Sequence, residues 1–149
     1  MEPRLVPTSS LPEQAECFPD TALAGFRVRN RFLAGAADGP TAAEVPDDGM
    51  YVEVLTCPPG ESLGEHRHGH NEALFVLDGE WTVRWRAAED AEHQTVRASR
   101  WDFVHVPANW WLSATNEGAQ DAHLLVLAGR TRGCELPAWL TALVDQAGR

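Results

Sequence analysis

Residues 60–79 read GESLGEHRHGHNEALFVLDG. Two histidines in this stretch, His66 and His68, are separated by one residue, so on a β-strand both side chains point to the same face. Glu72 follows four residues later, which leaves room for a turn into an antiparallel neighbouring strand. The spacing therefore predicts that two imidazoles and one carboxylate converge.

These three side chains form a donor set that suits a divalent metal ion. Neutral imidazoles and a carboxylate suit Fe(II), Mn(II), Ni(II), Co(II) or Zn(II), and three ligands leave positions free for water, substrate or O₂. We interpret His66, His68 and Glu72 as the ligands of one such ion. The alternative is a metal-free polar network, but burying these groups without an ion carries a large desolvation cost.

From residue 50 onward, short apolar runs alternate with turn residues, which is typical of an all-β sandwich or barrel. Asp78 and Gly79 indicate a hairpin turn. After Pro137 the apolar residues recur at helical spacing, which predicts a short C-terminal helix. Strands are predicted over residues 51–57, 62–68, 73–77, 80–86, 93–98, 103–106, 110–115 and 122–128.

The stretch 60–79 resembles the first conserved motif of the cupin superfamily: glycine, five residues, His-x-His, three residues, glutamate, six residues, glycine. Every position matches, in Gly60, His66, His68, Glu72 and Gly79. The resemblance covers about residues 50–128 and implies an all-β cupin jelly-roll barrel, which encloses its site between two sheets.

On this interpretation the chain is one domain with three parts. Residues 1–45 form an N-terminal arm with an edge strand, residues 46–130 form the barrel, and residues 131–149 form a C-terminal helical segment. The strand-like island at residues 26–33 is a candidate for pairing with a partner chain. Since cupins are often dimers, the resemblance implies a homodimer.

The second cupin motif aligns without gaps with residues 101–116, but only Pro107 and Asn116 match it. Trp101 and Asn109 stand where the family has glycines. Leu112 stands where the family has the histidine that is its fourth metal ligand. The resemblance therefore implies a three-ligand site with an open coordination position.

Four residues are candidates for lining a substrate pocket. His105 and His123 lie on neighbouring predicted strands, and either one replaces the missing ligand if its side chain points inward. Leu112 is expected to face the site, and Trp110 shares its parity, so Trp110 forms a pocket wall or fills the core. His70 lies in the predicted turn and is interpreted as a rim residue.

The composition restricts the classes of function. A formal net charge of −10 argues against nucleic-acid and membrane partners, and the absence of lysine excludes Schiff-base chemistry. The missing lysine and isoleucine, whose codons are AT-rich, suggest a bacterial source. With neither a long apolar run nor a signal peptide, and with three widely spaced cysteines expected to be reduced, we expect a cytoplasmic protein.

These observations favour a metal-dependent cupin enzyme acting on a small molecule, with an Fe(II) dioxygenase or oxygenase as the first reaction class. Glu72 is also assigned a catalytic role, because a carboxylate at the metal can move a proton. The alternatives are a cupin isomerase, lyase or cyclase, or a non-enzymatic cupin that binds a small ligand.

Overall fold

Two β-sheets pack face to face in the computed structural model, which describes residues 5–15, 27–35, 43–46, 49–129 and 135–147. Within these residues the larger sheet consists of β1 (Gln14–Ala15), β2 (Arg29–Gly35), β3 (Val45–Pro46), β4 (Tyr51–Cys57), β6 (Glu72–Val76), β9 (Phe103–Val106) and β11 (Ala122–Ala128). Their order across the sheet is β1-β2-β4-β11-β6-β9, and β3 pairs with β2. Neighbours run antiparallel except for β2 and β3.

The smaller sheet lies within the same described ranges and has the order β5-β10-β7-β8. Its strands are β5 (Ser62–His66), β7 (Glu80–Arg86), β8 (Gln94–Ser99) and β10 (Trp111–Asn116). A 3-10 turn (Thr8–Ser10) precedes β1, and one helix, α1 (Ala138–Ala147), follows the last strand. The predicted all-β jelly-roll barrel with a short C-terminal helix is confirmed.

The N-terminal region contributes to the larger sheet through β1, β2 and β3. Strand β2 covers most of the island predicted at residues 26–33, but it lies between β1 and β4. On this side β1 and β3 pair only with the two ends of β2, so N-terminal residues form this edge of the sheet, and their pairing with a partner chain stays a prediction. None of the described helices is long and apolar enough to span a membrane.

The core lies between the sheets because inward positions on both are apolar. On β4 and β6 the inward side chains are those of Leu55, Cys57, Leu74 and Val76, and on the smaller sheet they include Trp81. Burial raises the pKa of the free Cys57 thiol to about 11, which keeps it protonated. The other two cysteines, at positions 17 and 134, lie outside the described residues.

Four turn residues of the two motifs have left-handed backbone conformations. Gly60 and Gly79 have φ angles of +73° and +85°, and a Cβ on Gly79 would overlap the side chain of Ala122. Trp101 and Asn109 adopt φ angles of 76° and 67° where the second motif has glycines. Both residues thus adopt the positive φ that glycine favours, which agrees with the gap-free alignment.

Candidate metal centre

His66 ends strand β5 and is 6% exposed. Its Nδ1 lies 2.7 Å from the carbonyl oxygen of Gly64, which accepts the N–H of this nitrogen in the neutral ring. The hydrogen bond leaves the lone pair of Nε2 available to a metal ion. Burial lowers the pKa of His66, which favours the neutral imidazole that a metal ligand requires.

Glu72 begins strand β6 and is 5% exposed. It faces the interior, because it lies opposite Val106 of β9 and Ala128 of β11 on the inward side of the sheet. Burial raises the pKa of Glu72, and the neighbouring His68 acts in the opposite direction. A buried carboxylate of this kind is stabilised in its ionised form when it binds a cation.

His68 lies just beyond the end of β5, in the turn that leads to β6. Its carbonyl oxygen accepts a hydrogen bond of 2.7 Å from the backbone N–H of Asn109, which has positive φ. Its Nε2 lies 3.5 Å from Oε2 of Glu72. The second motif therefore positions His68, a candidate ligand of the first motif, through the backbone.

The arrangement fits a divalent ion. One ligand atom each of His66, His68 and Glu72 lies within 4.8 Å of the others. Donor atoms bound to one ion at about 2 Å are separated by roughly 3 to 4 Å, so a small contraction brings all three to bonding distance. The mixed nitrogen and oxygen donors, the neutral His66 ring and the buried carboxylate together match the requirements of a transition metal.

Leu112 lies directly opposite His66 in the pairing of β10 with β5, and it is 1% exposed. Paired residues on neighbouring strands point to the same face of a sheet, so Leu112 faces the interior as predicted. Its side chain has no donor atom. Within the described part of the chain, the candidate metal ligands are His66, His68 and Glu72.

The comparisons with known proteins agree with this geometry. The sequence model of the cupin domain family matches residues 53–128, just over half of the chain. The chain belongs to the cupin family.

Two curated proteins match parts of this cupin. Quercetin 2,3-dioxygenase from Bacillus subtilis (strain 168) is 33% identical over 70 residues, which cover 46% of this chain and 19% of that protein. Gentisate 1,2-dioxygenase from Haloferax sp is 33% identical over 73 residues, which cover 49% and 19% of the respective chains. The matched region is thus about a fifth of the length of either relative.

Among solved structures, KdgF from Halomonas sp. superposes on this cupin with a TM-score of 0.64 at 14% sequence identity. The superposition covers 88% of this chain and 96% of the other. The likeness shows a shared jelly-roll fold.

The cupin barrel does not bring His105 or His123 to the metal centre. His105 pairs with Ala73 and is exposed on the outer face of the larger sheet, because its neighbours Val104 and Val106 take the inward positions. The ring of His123 also faces outward, where its Nδ1 lies 2.9 Å from the carboxylate of Asp78. The condition for either histidine to replace the fourth ligand or to line the pocket, an inward side chain, is therefore not met.

Trp110 packs half-buried against the core, on the inward side that it was predicted to share with Leu112. Its role as a pocket wall stays a prediction. Trp111 points the other way, and the guanidinium carbon of Arg67 lies 4.8 Å from its ring centroid.

Sequence reasoning underestimated His70. Its ring centroid is 4.8 Å from that of His68, and its buried Nε2 has no hydrogen-bond partner among the described residues. Burial lowers the pKa of His70. His70 is therefore half-buried beside the candidate ligand His68, and its interpretation as a rim residue stays a prediction. The two-residue repeat of histidines at 66, 68 and 70 was the available signal.

A second carboxylate in the cupin interior was missed altogether. Glu53 is 6% exposed and shares the inward parity of Leu55 and Cys57 on β4. The two-residue alternation along this strand could have identified it, because it places a glutamate on the core face.

Proposed function

We propose that this cupin is an Fe(II)-dependent dioxygenase or oxygenase that acts on a small organic molecule, with a phenol as the first candidate substrate. The observation that carries the proposal is the convergence of His66, His68 and Glu72 beside the donor-free side chain of Leu112. Two histidines and one carboxylate with open positions are the ligand set of non-haem Fe(II) oxygenases.

The names of the two curated relatives support the same reaction class. Both are dioxygenases, and quercetin and gentisate are both phenols. Because the match covers about a fifth of each relative, it supports the chemistry of the centre more than the choice of substrate.

The residues of the centre have distinct roles in this proposal. Fe(II), when bound, would supply a redox centre at which O₂ is reduced by electrons from the substrate, and a Lewis acid for the substrate. The hydrogen bond from Nδ1 of His66 to Gly64 fixes the ring and its tautomer. Glu72 balances part of the charge of the ion and can accept a proton, and Leu112 excludes water from the side that it faces.

Oxygen uptake tests this proposal. Protein loaded anaerobically with Fe(II) is mixed with a panel of phenols, thiols and dicarbonyl compounds in air-saturated buffer, and O₂ consumption and products are measured. We expect uptake with at least one phenol, none after loading with Zn(II), and none in the His66→Ala variant.

Other outcomes would favour other cupin functions. Conversion of a substrate without O₂ consumption, by protein loaded with Mn(II), Ni(II), Co(II) or Zn(II), would contradict the proposal in favour of an isomerase, lyase or cyclase. Binding of a small molecule without conversion under any metal would indicate a non-enzymatic binding protein.

A further inference from the structure

Glu53 is a buried carboxyl group that the metal centre does not use. Its Oε2 accepts two hydrogen bonds of 2.8 Å, one from Nδ2 of Asn30 on β2 and one from the hydroxyl group of Tyr51 on its own strand. Among the described residues, no donor bonds to its Oε1. One oxygen is therefore fixed in place, and the other has no hydrogen-bond partner in the described part of the chain.

The register of the larger sheet places this group on the same inward face as the metal centre. Ala128 on β11 lies opposite Tyr51 on one side and opposite Glu72 on the other. With neighbouring strands about 4.8 Å apart, the backbones at Tyr51 and Glu72 are separated by roughly 10 Å. Ala128 is the inward-facing residue of β11 between Tyr51 and Glu72. Glu53 is the next inward-facing residue along β4 after Tyr51.

The surroundings of Glu53 favour a proton that exchanges near neutral pH. Burial raises the pKa of Glu53 to about 7, against the hydrogen bonds from Tyr51 and Asn30, and the charge of Glu72 acts in the same direction as burial. On the strand between the two carboxyl groups, the inward neighbours are the apolar Leu124 and Val126. Among the described residues, the titratable groups that act on Glu53 are Tyr51 and Glu72.

We propose that Glu53 is the acid–base residue for substrates held at the His66, His68 and Glu72 centre, and that Tyr51 and Asn30 position it. The inference rests on the proposed function. An O–H or acidic C–H bond of the substrate breaks, its proton forms an O–H bond with Oε1 of Glu53, and the electron pair stays on the substrate. The reverse transfer returns the proton to the product. Phenols and enolisable carbonyl compounds are the substrate classes that this step suits.

The alternative role of the Asn30, Glu53 and Tyr51 cluster is purely structural, since it joins β2 to β4. Glu53→Gln separates the two roles, because its amide oxygen can still accept both hydrogen bonds but its side chain cannot take up a proton. Glu80→Gln is the matched control, since it removes the same charge from an exposed strand position.

Proton counting gives a readout that does not depend on turnover. Catechol is titrated calorimetrically into Zn(II)-loaded protein at about pH 8 in buffers of different ionisation enthalpy. Catechol loses a proton when it binds, and ionised Glu53 should take up this proton. Wild type and Glu80→Gln should therefore release up to one proton fewer per bound catechol than Glu53→Gln, in which residue 53 cannot take up a proton. Equal proton release by all three proteins would overturn the assignment of Glu53 while leaving the metal centre intact.

The pH dependence of turnover provides the second measurement. We expect kcat/KM of Glu53→Gln to fall by about 100-fold or more and to lose the titration near pH 7, with metal affinity unchanged. Tyr51→Phe should move that titration to higher pH, because it removes a hydrogen bond that lowers the pKa of Glu53. If both variants keep the wild-type pH profile of kcat/KM, the assignment of Glu53 is contradicted. If wild-type protein binds no divalent metal ion, the proposed function is contradicted instead.

Discussion

Leu112 shows how one residue sets the character of the centre. The side chain faces His66 across β5 and β10, and the family places a histidine at this position. Leu112→His should tighten divalent metal binding by about tenfold or more, because a fourth imidazole completes the ligand set. It should also lower turnover, since it fills an open position. Leu112→Met is the control of similar volume, and unchanged affinity in the histidine variant would show that position 112 does not face the ion.

At the residue scale the sequence predicted which three side chains converge, but not their surroundings. The ligand spacing alone was sufficient for His66, His68 and Glu72, because it is local. His105 and His123 could not be placed from the sequence, because the inward parity of a strand depends on which of its faces meets the opposite sheet.

At the element scale, long strands were predictable and short ones were not. The predicted strands at 51–57, 80–86, 103–106 and 122–128 coincide with β4, β7, β9 and β11. The strand expected over 62–68 ends at His66, because the backbone of Arg67 pairs with Glu135 instead and His68 enters the turn. Strands β1 and β3 have two residues each, too few for any periodicity to be visible.

The glycine turns of the first motif give a graded stability prediction. Gly79→Ala should lower the free energy of unfolding by about 3 kcal/mol. The alanine would have to adopt a positive φ, and its Cβ would overlap the side chain of Ala122. Gly60→Ala has positive φ but open space, so we expect a loss of about 1 kcal/mol. Gly69→Ala has neither constraint and should cost less than about 0.5 kcal/mol. Urea denaturation measures all three, and equal losses would contradict the turn geometry.

At the scale of the whole molecule, the two sheets bury ionisable groups whose protonation is linked to folding. In the folded protein, burial raises the pKa of Glu53 from its ordinary value of 4.5 to about 7. Between these values the folded state binds more protons than the unfolded chain, so this group lowers stability as the pH rises. The sequence could not predict this, because the pKa depends on burial between strands that are distant in the chain.

Glu53→Gln should therefore change the pH dependence of stability. Near pH 5 the free energies of unfolding of the variant and wild type should be about equal. Near pH 8 the free energy of unfolding of the variant should be higher than that of wild type by up to about 3 kcal/mol. Urea denaturation of the metal-free proteins at both pH values measures the difference, with Glu80→Gln as the control. Parallel pH dependence of the variant and wild type would show that Glu53 is ionised in the fold at neutral pH.

The most direct test of the account is the binding of one divalent metal ion by His66, His68 and Glu72. Protein freed of metal is reloaded anaerobically with Fe(II) or Zn(II), and stoichiometry and affinity are measured for wild type, His66→Ala and, as a control on the outer face, His105→Ala. The account predicts one ion per chain in wild type and His105→Ala, and loss of binding in His66→Ala. Wild-type protein that binds no divalent metal, or His66→Ala that binds it equally well, would contradict the account.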